Sequence, residues 1–471
     1  MENKIQSEYS DLTLGDKRLD ARALNIIPKL SHQPDSSFPK IFEGDSAGLE
    51  GFYRFVENPY LNPQDIIAPH IDATLERCKQ AEFLVVAHDS SEFVFSGNRK
   101  NMGTISNKNL PSFLGHFSLA VDLNGQEPLG VLKCFTWKRD EEYTPSALRK
   151  KGFIDKSEIY LMPNEHQRWV EGMLECSELI AKEQTLQPIH VCDSETDSYT
   201  IFSKLLSESC PFVIRGCQNR RVFGKASSLK EELLDNPVLF EREIKISKRK
   251  QRRTPEVKRL KSRDEREATL EVRAQEVTLQ RPKMVQSSYP KSITLNAVYV
   301  LEKDVDENEV AVEWLLLTDQ SIKTQADIEK VIDCYRCRWV IEEYFKALKT
   351  GCSYEKRQLE SYESLNICLS LFIAIAWKIL HLRSVARNKP MVPAEDVLSK
   401  EEIEVLSEKQ KKKISTAEDC LMAVAQLGGH IKYNGPPGWM VLWKGMKTLC
   451  ELVEGYKLAL FKMSSKRCDQ S

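Results

Sequence analysis

Glu342 stands between cations. In "DCYRCRWVIEEYFKALKTGC", Asp333 to Cys352, a helix turning roughly 100° per residue places Tyr335, Arg338, Glu342, Lys346 and Lys349 within roughly 80° of arc. Glu343 falls just outside that stripe, so only Glu342 has a basic side chain one turn away on either side. Alone, such a helix reads equally as exposed surface laced by i,i+4 pairs. Two more acids change the balance. The apolar runs "FLVVAHD" and "QPIHVCD" end in Asp89 and Asp193, and acids at the ends of buried strands can converge with one from a helix. Three carboxylates repel one another unless cations sit between them. Hard oxygen ligands suit Mg²⁺ or Mn²⁺, and a pair of such ions roughly 3.5–4 Å apart serves phosphoryl transfer. The basic stripe would then face the phosphates of the substrate.

These residues must be carried by a mixed α/β framework. Residues 1–62 read as short helices, "LTLGDKRLDARALNIIPKL" and "SAGLEGFYRFVENP", the second stopped by Asn58-Pro59. Residues 63–385 carry strand-like apolar runs, a hairpin signal at Asn124-Gly125 and a helical "HQRWVEGMLECSELIAKE". Within them, about 220–319 reads as a β insertion. Residues 386–471 read as a helical C-terminal domain.

Composition bounds the function. Of 471 residues, 41% are hydrophobic and 29% charged, with net charge −1, which describes a globular chain with a sizeable core. No basic-then-apolar leader pattern and no run of about 18 apolar residues is visible, so no membrane span and a cytoplasmic location are expected. The 13 cysteines are scattered; Cys334 and Cys337 form C-x-x-C without a second pair at zinc spacing. No phosphate-cradling G-x-x-x-x-G-K-[ST] occurs. Positive charge clusters in Lys245–Arg263, ten Lys/Arg against one Glu, and in "KQKKK" at Lys409–Lys413. Such clusters suit a phosphate backbone or a solvated loop.

The spacing Tyr335-x₂-Arg338-x₃-Glu342-x₆-Lys349 resembles the Y-R-E-K signature of bacterial cut-and-paste DDE transposases, most closely those of the kanamycin-resistance transposon group. The likeness runs through "LGDKRLDAR", "EGFYRFVENP", "HDSSEF", "VCDSETD", "EWLLLTD", "MAVAQLGG" and "GWMVLWKG". It implies a ribonuclease-H-like mixed sheet with an inserted β subdomain, flanked by an N-terminal helical DNA-binding domain and a C-terminal helical dimerisation domain. It implies that Asp89, Asp193 and Glu342 are catalytic and hold two Mg²⁺ or Mn²⁺ ions. Tyr335, Arg338, Lys346 and Lys349 would contact transposon-end phosphates, and Trp314 would stack on a flipped base. Arg215 would touch DNA, and Arg18 and Arg22 would take part in end recognition. The partners implied are inverted-repeat ends, target DNA and a second copy of the chain, at a bacterial nucleoid. A non-catalytic transposition inhibitor and a ribonuclease-H-like nuclease without strand transfer are the alternatives.

Overall fold

The computed structural model describes residues 5, 8–104, 110–138, 165–183, 187–224, 228–246, 265–305, 311–431 and 435–468. Most of the basic segment Lys245–Arg263 lies outside them. The helices are α1 (Lys17–His32), α2 (Phe38–Ile41), α3 (Ser46–Val56), α4 (Pro63–Cys78), α5 (Glu165–Glu183), α6 (Tyr199–Ser207), α7 (Leu229–Leu234), α8 (Gln325–Cys337), α9 (Trp339–Lys346), α10 (Tyr362–Asn388), α11 (Lys400–Gln410), α12 (Ala417–Leu427) and α13 (Trp439–Cys468). The strands are β1 (Leu84–Val94), β2 (Gly103–Thr104), β3 (Pro111–Asp122), β4 (Glu127–Trp137), β5 (Ile189–Cys192), β6 (Phe212–Gly216), β7 (Phe240–Ile246), β8 (Arg266–Gln280), β9 (Ser292–Glu302) and β10 (Glu313–Thr318). The chain divides into two compact units. One comprises Met1–Ile159, Lys182–Thr185 and Trp339–Ser471; the other comprises Tyr160–Ala181 and Leu186–Arg338.

In the first unit, α1, α3 and α4 each open on a side-chain cap. Asp16 accepts from the Arg18 N–H, Asp45 from that of Gly48, and Asn62 from that of Gln64, satisfying donors a helix start leaves unpaired. Phe38, Phe52 and Phe55 are buried, with the Phe38 and Phe52 ring centroids 4.3 Å apart. β3 pairs antiparallel with β1 on one edge and with β4 on the other. The β3–β4 turn falls at Asn124-Gly125, where Gly125 takes φ 107°, so the hairpin lies where its dipeptide signal put it.

The sequence showed no membrane-length apolar run, yet one helix, Tyr362–Asn388, is long and apolar enough, with mean hydropathy 1.9 over its most apolar window. That window is 89% buried inside the protein. α10 packs against β4, α4 and α12 as the central core helix. Lys378 interrupts its run, and the Lys378 ammonium is buried at 3.0 Å from Glu402. α12 and α13 cross closely: a Cβ at Gly445 would lie 1.8 Å from the Val424 carbonyl oxygen, so only glycine fits there.

The second unit has the strand order β5-β6-β10-β9-β8-β7. β5 and β6 are parallel and the remaining pairs antiparallel. The stretch read as an insertion therefore adds directly to β6 through β10. Its core gathers Trp169, Phe202, Phe212, Ile214, Leu279 and Leu315.

Candidate active site and nucleic-acid contacts

Asp89 belongs to β1 of the first unit. The apolar run stops at Asp89, but the strand continues to Val94, so this acid sits mid-strand rather than at a strand end. Its cross-strand partner is Phe117, and directly opposed side chains share a face. On that face Phe117 packs against Tyr344 and Phe345 of α9, with ring centroids 5.6 and 5.5 Å away. The helix bearing Glu342 is thus seated on the Asp89 face of β1 and β3. Both acids are half-buried. The opposite face carries a buried polar ladder, in which His88 meets Ser118 and His116 meets Ser90, each at 3.0 Å. Burial pushes the His116 imidazolium down to about 3, so His116 is neutral at physiological pH.

The lysines expected in the basic stripe around Glu342 are bound to other groups. α8 ends at Cys337, α9 starts at Trp339, and Ala347–Gly351 widens into a π turn, so a uniform 100° repeat does not span Tyr335 to Lys349. Lys346 is paired at 2.5 Å with Glu343, not Glu342, and its ammonium lies 5.2 Å from the exposed Trp339 ring. Glu343 is also bonded by Arg383 of α10. Burial would raise the Glu343 carboxyl, but Lys346 and Arg383 outweigh it and hold it below its usual range. Lys349 donates to the Glu92 carbonyl of β1. A Cβ on Gly351 would lie 1.4 Å from Trp443 Nε1, so α13 presses on the π turn only because that position has no side chain.

The second unit holds Asp193, Arg215, Trp314, Tyr335 and Arg338. Asp193 follows β5 and caps the short turn Ser194–Thr196, accepting from the Glu195 N–H at 2.9 Å. Arg215 lies opposite Leu316 in β6–β10 pairing and donates to the Glu313 carbonyl at 3.4 Å. Trp314, half-buried on β10, meets the buried Tyr335 of α8 edge to face at 5.7 Å. Two residues expected at DNA from separate motifs are thus neighbours. Arg338 sits at the break between α8 and α9.

Sequence reasoning missed Asp197. Its carboxylate is fully buried and accepts from the N–H groups of Cys217 and Gln218 at 2.7 and 2.8 Å, and from Arg220 Nη2 at 2.6 Å. It ties the turn after Asp193 to the loop after Arg215. The only signal was a third acid in "VCDSETD".

On α1, Arg18 has a side chain 90% exposed, paired with Asp16, and Arg22 is exposed beside the Gly51 carbonyl. Of the second basic knot, Lys412 is bound to Asp419 at 2.7 Å. Cys334 and Cys337 are both buried in α8. Among the described residues no group of three or more His, Cys, Asp or Glu could hold a metal ion as placed. Asp89 and Glu342 nonetheless offer the hard carboxylate oxygens that Mg²⁺ and Mn²⁺ take, on two elements packed together in one unit.

Comparison with known proteins gives these elements a context. The chain is similar to a chain of the piggyBac transposase synaptic complex with hairpin DNA, at 13% identity and a TM-score of 0.33, over 90% of this chain and 76% of that one. Residues 1–61, spanning α1 to α3, match the family model described as Transposase DNA-binding. Residues 171–377, spanning Asp193 and Glu342, match the one described as Transposase DDE domain. The chain thus carries one stretch that matches a transposase DNA-binding domain and one that matches a transposase DDE domain.

Proposed function

We propose that the chain is a divalent-metal-dependent cut-and-paste DNA transposase of the Y-R-E-K group. The observation that carries this reading is a transposase DDE match in a chain whose Asp89 strand and Glu342 helix are joined through Phe117, Tyr344 and Phe345. Asp89, Asp193 and Glu342 are the residues that would hold the ions. Bound there, Mg²⁺ or Mn²⁺ would supply an activated oxygen nucleophile and charge compensation at phosphorus.

The rest falls to the chain's own side chains. Arg18 and Arg22, exposed on α1, fit phosphate contacts at the inverted-repeat ends. Arg215, Tyr335, Arg338, Lys346 and Lys349 add contacts near the cleaved bond. Lys349 spends one of three ammonium donors on Glu92, leaving others for a phosphate. Trp314, half-buried against Tyr335, stacks on a base extruded from the end, a contact of about 1–3 kcal/mol. In the proposed order one strand is nicked, and its 3′-OH closes a hairpin on the opposite strand. The hairpin is then hydrolysed, and the 3′-OH attacks target DNA. Two copies on paired ends would meet through the helices of residues 386–471.

The test uses the full chain, duplexes ending in the inverted repeats that flank its gene, and a target plasmid. Mg²⁺ should yield nicked, hairpin and strand-transfer products. EDTA, Asp89→Ala, Asp193→Ala and Glu342→Ala should each abolish them while end binding persists. Nicking without strand transfer would make the protein a nuclease, and end binding without any cleavage a regulator; either result refutes the proposal.

A further inference from the structure

Past Asp89, side chains bond the main chain of β1 on the edge that turns away from β3. In an antiparallel ladder, alternate residues point their N–H and C=O groups to opposite edges. The Phe95 N–H donates to Pro111 O and the Leu123 N–H to Phe83 O, each at 2.9 Å, so odd-numbered positions of β1 bond to β3. Ser90, Glu92 and Val94 therefore turn their main-chain groups to the other edge. There the Ser90 N–H donates to Asp89 Oδ1 at 2.8 Å, Lys349 Nζ donates to the Glu92 carbonyl, and the Val94 N–H donates to Glu355 Oε1 at 3.0 Å.

Lys349 and Glu355 also face each other at 3.5 Å. The Lys349 ammonium lies 5.0 Å from the Phe93 ring. Both residues come from the chain just past Glu342. The π turn aims Lys349, since the Cys352 N–H reaches back to Ala347 O at 2.9 Å. Glu355 sits in the turn Tyr354–Lys356, anchored by the fully buried Tyr354 against Phe93 and Phe95 at 5.3 and 5.8 Å.

We propose that Lys349 and Glu355 form a charged clamp on β1 at Glu92 and Val94. One supplies the donor and the other the acceptor that a neighbouring strand would have supplied. The clamp locks the Asp89 strand to the segment carrying Glu342, so both are positioning residues for these acids. Lys349 then serves the fold of the site as well as any phosphate. The consequence for metal binding rests on the reading of Asp89 and Glu342 as ligands, so two readouts are needed.

The experiment takes the full chain without DNA. Hydrogen exchange is followed by mass spectrometry in peptides spanning 84–95, and Mn²⁺ binding by EPR titration. Lys349→Met and Glu355→Ala should speed exchange there roughly tenfold or more and weaken Mn²⁺ binding roughly 10–100-fold, as loss of a supporting contact does. Glu355→Gln keeps an acceptor for the Val94 N–H and should preserve most of the protection, which supplies a readout if the alanine variant misfolds. Unchanged exchange in Lys349→Met and Glu355→Ala overturns the clamp. So does faster exchange with unchanged Mn²⁺ affinity when Asp89→Asn does lower that affinity. If Asp89→Asn and Glu342→Gln also leave Mn²⁺ affinity unchanged, the metal reading has failed, and the exchange result alone decides the clamp.

Discussion

Asp197→Ala should cost about 3–5 kcal/mol of stability, the range for breaking a buried ion pair from one side. The side chains of Asp197 and Arg220 are 0% and 6% exposed, so water cannot replace the lost partner. Two main-chain donors, the N–H groups of Cys217 and Gln218, lose their acceptor as well, and each unsatisfied group costs about 1–3 kcal/mol. Asp197→Asn keeps the shape but has only one acceptor oxygen. It must leave either the two amides or the guanidinium facing an NH₂ group, and should still cost about 2 kcal/mol. Removing both charges with Asp197→Leu and Arg220→Met relieves the stranded guanidinium but not the amides. The double variant should therefore be more stable than Asp197→Ala alone, with a coupling of about 2 kcal/mol. Urea denaturation gives the magnitudes, and hydrogen exchange over 189–224 shows whether the loss is local. A cost below about 1 kcal/mol for Asp197→Ala, or an Asp197→Asn variant as stable as the parent, would refute the assignment of this residue as the tie between the Asp193 turn and the Arg215 loop.

Glu343→Ala should retain DNA cleavage while Glu342→Ala loses it, and should cost about 1–2 kcal/mol of stability from its lost bonds to Lys346 and Arg383; a cleavage assay beside a denaturation curve separates the two. The buried Glu8 accepts from Arg77 at 2.5 Å and from His70 Nδ1 at 2.6 Å, and His70 Nε2 accepts from the Val131 N–H, which fixes the neutral tautomer with its proton on Nδ1. Burial would raise the Glu8 carboxyl, but His70 and Arg77 hold it below its ordinary 4.5. Its contribution is therefore complete above pH 4.5 and is lost as pH falls through the lower folded value. Glu8→Gln should flatten that acid limb in melting curves taken from pH 6 to 3, and an unaltered limb would count against the triad. Trp314→Ala should slow hairpin closure more than first-strand nicking in a time course on end DNA; equal slowing would remove the stacking role.

Local chemistry was legible from the residues themselves. The β3–β4 hairpin followed from Asn124-Gly125, which sit at the centre of the four-residue turn between Asp122 and Glu127, because a tight turn is specified by the conformations its residues allow. The apolar runs into Asp89 and Asp193 marked β1 and β5. What the tertiary structure alone decided is partnership. The stripe of cations about Glu342 was a property of an ideal helix, and the helix departs from that ideal where it widens after Lys346. Lys346 then found Glu343, and Lys349 found a carbonyl 257 residues away in sequence. Asp197 and Arg220, Glu8 and Arg77, and the meeting of Trp314 with Tyr335 left no periodic trace. The physical reason is that helix and strand periods reflect bonds between near neighbours, whereas a buried charge is satisfied by whatever group the packed core delivers, and that depends on the whole fold.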